Sequence, residues 1–393
     1  MLRSALMELA TSAGADPTKP QQVSRQLRLN RGLAWKMARI VQGRTMGDII
    51  DHVPGTAGVE ILVETLTKGG GSADAAARTR EAFREFDQLV ERHAGDRQTL
   101  ALMVSNTGEV QDDRDRLADM RRLAYQGNTA ILGIRARVQI SAHIIAPNAK
   151  DPAWVDAVRV GGLVDLHRVR GDAHWTLFRN FSYHDDGTTS GGGTRALDPE
   201  CAGELGVPLV REFCSQPLPK LVGTRDGDER LVELPAGPVG QTGAITCFQG
   251  SYTERLAPAF RDARDSRGEL GTGLRTPAED LVFDVFIHRS LLRDSQPAFD
   301  VYSTMDRMAR QAEPGRARNR LPTSESPVRL GSGLAAASTP YFPKYEGILA
   351  TVFRKVSWNA GDFLGYRVHM AFPPIPALAV ISFPLPELPS GKP

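Results

Sequence analysis

The chain divides by the spacing of its apolar residues. Up to about residue 125 they recur at helical intervals, and beyond about Gly127 they gather into β-branched runs. Leu2, Leu6 and Leu9 form one helical stripe, which stops at Gly14. Val23 and Leu27, then Leu33, Met37, Ile40 and Val41, make two short helical faces, the second ending at Gly43. Met46, Ile49, Ile50 and Val53 predict another short helix. The stretch from Val59 to Leu66 predicts one that Gly69-Gly70-Gly71 stops. Ser72 is placed to cap a helix reaching about His93, with Ala76, Phe83, Phe86, Leu89 and Val90 inward. Residues 112–125 predict one more, burying Leu117, Met120, Leu123 and Ala124.

The second pattern opens with Ile131, Ile134, Val138, Ile140, Ile144 and Ile145. Strands are predicted at 157–160, 163–166, 175–183, 231–234, 243–252, 281–291, 298–303, 348–356, 363–372 and 378–383. Short helices are predicted at 255–264 and 304–312, and exposed loops at 186–194 and 313–326. The end of the chain is proline-rich and extended. The fold class is therefore α+β. A helical N-terminal domain at 1–125 precedes a larger β-rich domain at 126–393, either sandwich-like or an α+β sheet.

Composition adds limits. Hydrophobic residues at 41% and charged residues at 24% are an ordinary globular balance, so neither disorder nor a fibrous chain is expected. No apolar run approaches the roughly 20 residues of a membrane span. The N-terminal stripe is broken by Glu8, unlike a secretion signal. Cys201, Cys214 and Cys247 are far apart and form no Cys-x-x-Cys. No disulfide framework can be read, and a soluble, cytoplasmic protein is expected.

Charge is uneven. Residues 1–50 hold eight basic and three acidic side chains, so eight minus three gives +5 there, against +2 for the chain. That excess surrounds QQVSRQLRLNRGLAWKMARIVQ, residues 21–42, which reads as two amphipathic helices meeting at Arg28-Leu29-Asn30. Val23 and Leu27 pack the first helix, Ser24 is small where the helices approach, and Leu29 plugs the turn. Asn30 caps the second helix, whose inner face is Leu33, Met37, Ile40 and Val41. Arg31, Gly32, Trp35, Lys36 and Arg39 are left outward.

Over residues 20–44 this stretch resembles the helix-turn-helix domains of bacterial transcription regulators. The resemblance implies a DNA-binding transcriptional regulator whose C-terminal domain senses a small-molecule effector or drives oligomerisation. It implies that Arg31, Trp35, Lys36 and Arg39 face the major groove of double-stranded DNA, and that Arg25, Arg28 and Arg44 lie near its backbone. A homodimer is implied too, because one short helix makes few base contacts. Helices over 72–93 and 112–125 are the candidate dimer elements. Two departures stand out. Arg28 occupies the turn position that the family gives to glycine, and no two-strand wing follows Arg44.

Two other classes remain. A helical unit of this kind also serves as a protein contact, which makes a scaffold or assembly protein the alternative, behind DNA binding because the basic residues are concentrated here. An enzyme would need the histidines His143, His167, His174 and His184, the last beside Asp185 and Asp186, to converge, but no metal-binding spacing links them. Gly191-Gly192-Gly193 lacks the Lys-Ser/Thr of a phosphate loop. Phe283, Val285, Ile287, Phe353 and Tyr366 are core by pattern, although a pocket among them would suit an apolar effector. No catalytic residue, metal-ligand set or cofactor is marked, so the expectation is a non-enzyme without cofactor or metal.

Overall fold

The computed structural model describes residues 1–43, 46–105, 112–180, 194–205, 208–218, 220–226, 229–261, 266–292, 296–305, 315–331 and 333–388. The chain is α+β and forms two units, Met1–Leu117 and Ala118–Pro393. The division falls within a single helix.

Unit 1 is helical: α1 (Leu2–Ser12), α2 (Pro20–Leu27), α3 (Arg31–Gln42), α4 (Met46–Ile50), α5 (Thr56–Lys68), α6 (Ala73–His93), α7 (Arg97–Ser105) and the start of α8 (Asp112–Leu132). No strand occurs among its described residues. One core joins Leu6 and Leu9 of α1, Val23 of α2, Met37 and Ile40 of α3, Leu62 and Leu66 of α5, and Phe83 of α6. These are the residues that the helical spacing aims inward. Leu89 of α6 is exposed instead, at 51%.

The burial expected for α8 is corrected. Met120, Leu123 and Ala124 are exposed and Leu117 is half-buried. The helix buries Arg121 and Tyr125, one turn apart, because both polar tips find partners. Arg121 Nη1 donates to Glu325 Oε1 at 2.6 Å, and the Tyr125 hydroxyl donates to Glu279 Oε1 at 3.2 Å. Helix α8 also runs through Ile131, which the strand pattern had claimed.

Unit 2 holds β1 (Ile134–Pro147), β2 (Trp154–Arg168), β3 (Trp175–Asn180), β4 (Thr194–Ala196), α9 (Pro199–Leu205), β5 (Val222–Asp226), β6 (Glu229–Leu234) and β7 (Ile245–Pro258). These are followed by β8 (Arg267–Leu274), β9 (Ala278–His288), β10 (Ala298–Ser303), β11 (Arg320–Leu321), β12 (Val328–Arg329), α10 (Tyr345–Lys355), β13 (Phe363–Ala371) and β14 (Ala377–Pro384). A seven-stranded sheet runs in the order β12-β13-β9-β1-β2-β7-β4. Its β1–β9 pairing is parallel, and its other pairings are antiparallel. A four-stranded sheet, β11-β10-β14-β8, and a three-stranded sheet, β3-β6-β5, complete the unit.

Strand alternation sends one set of side chains to each face of the large sheet. Ile140, Ala142 and Ile144 of β1, with Val158 and Val160 of β2, pack against Tyr345, Ile348, Leu349, Val352 and Phe353 of α10. On the other face Ile145, Phe283, Val285 and Ile287 pack against Val301, Ala379 and Ile381 of the four-stranded sheet. Farther along that face, Leu163, Leu166 and Cys247 pack against Phe178, Val232 and Leu234 of the three-stranded sheet.

Three further sequence expectations change. The stretch expected as a strand at 348–356 is helix as far as Lys355, because Ile348, Leu349, Val352 and Phe353 bury one face at helical spacing. No helix begins at Arg255. That residue lies in β7, at φ 53°, with its N–H donating to Asp156 Oδ1 at 2.9 Å. The two strands expected at 157–160 and 163–166 are one strand, irregular at Asp165, which has φ 51°. The expected helix at 304–312, the loop at 186–194 and the Gly191–Gly193 run lie mostly or wholly outside the described residues.

Helix α10 is locked to the sheet by a buried polar group. Asp284 of β9 is fully buried. It accepts two bonds from Arg367 of β13, at 2.8 and 2.7 Å, and one from the Tyr345 hydroxyl at 2.8 Å. Removing the carboxylate would strand a largely buried guanidinium. Asp284→Ala is therefore expected to destabilise unit 2 by about 3–5 kcal/mol, and Tyr345→Phe by about 1 kcal/mol. Urea unfolding of the full chain checks both; equal, small losses would reject the account.

Candidate nucleic-acid interface

The α2–α3 pair is joined by three residues, and each has a defined task. Arg28 closes α2 in the left-handed region, at φ 53° and ψ 31°. A glycine would adopt this conformation freely, whereas a β-carbon costs about 1 kcal/mol there. Leu29 is buried, and its carbonyl accepts from Ser24 Oγ at 2.8 Å. Asn30 caps α3: its Oδ1 accepts from the N–H of Gly32 at 2.8 Å and of Leu33 at 3.4 Å. At the far end, Gln42 Nε2 donates to Thr18 O at 2.9 Å, tying α3 to the loop before α2.

Helix α3 buries Ala34, Met37, Ala38, Ile40 and Val41. At 100° per residue, Arg31, Gly32, Trp35, Lys36 and Arg39 then fall within an outward arc of about 140°. Arg31, Trp35 and Arg39 are exposed, Trp35 at 49%. Lys36 is half-buried at the edge of the arc, less outward than the sequence implied. Arg25 on α2 and Arg28 in the turn are exposed beside it. Arg44 lies outside the described residues.

Several arginines elsewhere in unit 1 are held in ion pairs. Arg78 pairs with Glu8, Arg80 with Glu60 and Arg97 with Asp87. Among the described residues, Arg25, Arg28, Arg31 and Lys36 make no ion pair.

One member of the cluster was not foreseen. His52, after α4, stands edge-on to Trp35 with ring centroids 4.9 Å apart. Its Nε2 accepts from Arg39 Nε at 3.3 Å, and the Arg39 guanidinium lies 5.9 Å from the Trp35 ring centre. Burial, then the Arg39 charge, hold the His52 ring below the usual histidine range. An isolated histidine between Asp51 and Val53 carries no sequence signal for this contact.

The histidines of unit 2 are not brought together. His143 pairs with Arg159, whereas His167 pairs with Arg135. Positions 135 and 143 are 143 minus 135, or eight, residues apart on β1, which is about 26 Å of strand. His167 Nε2 accepts from Arg135 Nε at 2.9 Å, His174 is exposed, and His184, Asp185 and Asp186 lie outside the described residues. Among the described residues no group of three or more His, Cys, Asp or Glu side chains could hold a metal. Phe283, Val285, Ile287, Phe353 and Tyr366 are all buried core. Among the described residues no helix is long and apolar enough to cross a membrane.

Two predictions follow from this geometry. Asn30→Ala, measured by denaturant unfolding of the full chain, is expected to cost about 1 kcal/mol through loss of the cap. The second concerns His143, which burial and then the Arg159 charge push down to about 3 from an ordinary 6.5. Between those values the unfolded chain binds a proton that the folded chain refuses, so folding stability falls as pH falls through that window. His143→Gln is expected to flatten this part of the Tm-against-pH curve. An unchanged slope would reject the assignment.

Compared with known proteins, the chain matches no family model, no curated protein and no solved structure.

Proposed function

We propose that the protein is a cytoplasmic DNA-binding regulator that lays α3 in the major groove of duplex DNA. The supporting observation is the outward surface of α2, the turn and α3. Arg25, Arg28, Arg31 and Lys36 have no ion-pair partner among the described residues, and Arg39 and Trp35 share the same side. Like charges held this close repel one another, and a row of phosphates relieves that repulsion. Arg31, Lys36 and Arg39 have the reach and donors for guanine edges or phosphates, while Arg25 and Arg28 suit the backbone. The short turn with its Asn30 cap supports the helix-turn-helix reading, with Arg28 in the left-handed conformation normally given to glycine. One short helix offers few base contacts, so a homodimer completes the reading. Unit 2 then senses a small-molecule effector or drives assembly.

Exposed Trp35 favours a second reading, a scaffold that contacts protein through the same surface, since Trp and Arg are enriched at protein interfaces. Salt dependence separates the two. In fluorescence anisotropy with mixed-sequence duplex DNA, the full chain is expected to bind at low salt and to weaken linearly in log–log form. Arg31→Glu combined with Lys36→Glu is expected to lower affinity at least about tenfold and reduce the salt slope by about 2. No binding at low salt, or no response to the reversed charges, rejects the DNA reading.

A further inference from the structure

Residues 208–215 run along β7 and bring one cysteine against another. The Val210 N–H donates to Phe248 O at 2.8 Å, the Gly250 N–H to Pro208 O at 2.9 Å, and the Ser215 N–H to Thr246 O at 2.8 Å. Leu209 bridges Gln249 in the antiparallel sense, and the Thr246 N–H donates to Ser215 Oγ at 2.8 Å. Cys214, extended at φ −92° and ψ 159°, is one residue before Ser215, and Cys247 is one residue after Thr246. The two cysteines therefore stand opposite each other. Both side chains lie in the core against the three-stranded sheet, which puts them on one face. Opposed antiparallel residues flanking a hydrogen-bonded pair are about 4.5 Å apart at Cα. A disulfide spans roughly 4.4–6.8 Å between Cα atoms.

The thiols are unequal. Cys214 is 8% exposed, whereas Cys247 and Cys201 are 0% exposed, so a small oxidant meets Cys214 first. Cys214 Sγ accepts from the Cys247 thiol and from the Phe248 N–H, the latter at 3.3 Å. The Cys247 bond, aided by that N–H, holds the Cys214 thiol below its usual range although burial opposes it. Cys247 is pushed well up, by the bond it donates to Cys214 and by burial. One sulfur is thus suited to attack, and the other keeps a proton that a leaving group can take.

We propose that Cys214 and Cys247 are a modification site for hydrogen peroxide, which converts the pair to a disulfide. The Cys214 sulfur attacks one peroxide oxygen, and the O–O bond breaks. Cys214 becomes a sulfenic acid, while the other oxygen takes the thiol proton and leaves as water. The Cys247 sulfur then attacks the Cys214 sulfur. The S–S bond forms, the S–O bond breaks, and the departing hydroxyl takes the Cys247 proton to leave as a second water. Two thiols lose two electrons, and the peroxide gains them. Strands β5 and β6 lie between the two cysteines in sequence, so the bond closes the segment that carries them onto β7. The proposal concerns unit 2 alone and does not depend on DNA binding.

The test treats the native full chain with millimolar hydrogen peroxide, blocks the remaining thiols, and maps peptides by mass spectrometry without reduction. The peptides of Cys214 and Cys247 are expected to be joined with the loss of two hydrogens, and to separate again in dithiothreitol. Cys201 is expected to stay reduced, and Cys201→Ala to leave the linkage unchanged. Cys247→Ala removes the second thiol and is expected to leave Cys214 as a sulfenic acid that dimedone traps. Cys214→Ala is expected to leave Cys247 reduced. If Cys247→Ala or Cys214→Ala fails to fold, the linkage maps of the unsubstituted and Cys201→Ala chains decide. No linkage in the native chain, linkage that requires prior unfolding, a bond through Cys201, or bonds only between chains overturns the proposal.

Discussion

Unit 2 depends on the burial of β1 from both sides. From Val138 to Ala146 its side chains alternate between the α10 core and the face covered by the two small sheets, and very little of it meets solvent. A strand in that position must satisfy its backbone laterally. It does so with β2 on one edge and β9 on the other, over nearly its whole length. The layers follow from this. Something apolar must cover each face, and α10 supplies one side while the four- and three-stranded sheets supply the other. The Asp284–Arg367–Tyr345 group then fixes where α10 sits, since a fully buried carboxylate tolerates little displacement from its donors.

Much of this was legible in the sequence where one face alone is buried. Leu6, Leu9, Val23, Met37, Ile40, Leu62 and Leu66 repeat at helical spacing, and they form the unit 1 core. Legibility failed where other forces chose the buried side. Helix α8 presents an apolar row to the outside because Arg121 and Tyr125 gain charged partners more than 150 residues away in sequence. Helix α10 was read as a strand because its β-branched and aromatic residues mimic one, and the helical period is visible only once the inward residues are known. Arg255 was read as a helix start, yet its left-handed conformation is imposed by Asp156, which also accepts from Tyr252 and Asn148.

The same contrast holds for the basic surface. Its helices, turn and cap could be read from short-range spacing, because Ser24, Arg28, Leu29 and Asn30 act on near neighbours. Its electrostatics could not. The absence of ion pairs at Arg25, Arg28, Arg31 and Lys36, among the described residues, depends on which acidic side chains the fold brings near them, and that is a long-range property; Arg78, for example, meets Glu8 from 70 residues away. Likewise the three cysteines, distant in sequence, are all buried and share one core in unit 2 as free thiols, with Cys214 Sγ accepting from the Phe248 N–H at 3.3 Å and donating to Val210 O at 3.3 Å.

The capped three-residue turn has a consequence for how this segment can change in evolution. Arg28 and Asn30 set not only the path of the chain but also the phase of α3. With Gln42 anchored to Thr18 at the other end, the helix cannot absorb an extra residue by sliding. One insertion between Asn30 and Leu33 would turn everything before it by about 100° relative to the buried face. Asn30, and Arg31 where it precedes the insertion, would then be out of step with Trp35, Lys36 and Arg39, which keep their phase with the buried Ala34, Met37 and Ala38. Substitutions on the outer arc are structurally cheap, whereas changes of length are not. The segment is therefore free to vary its contacts by composition and constrained to keep its residue count.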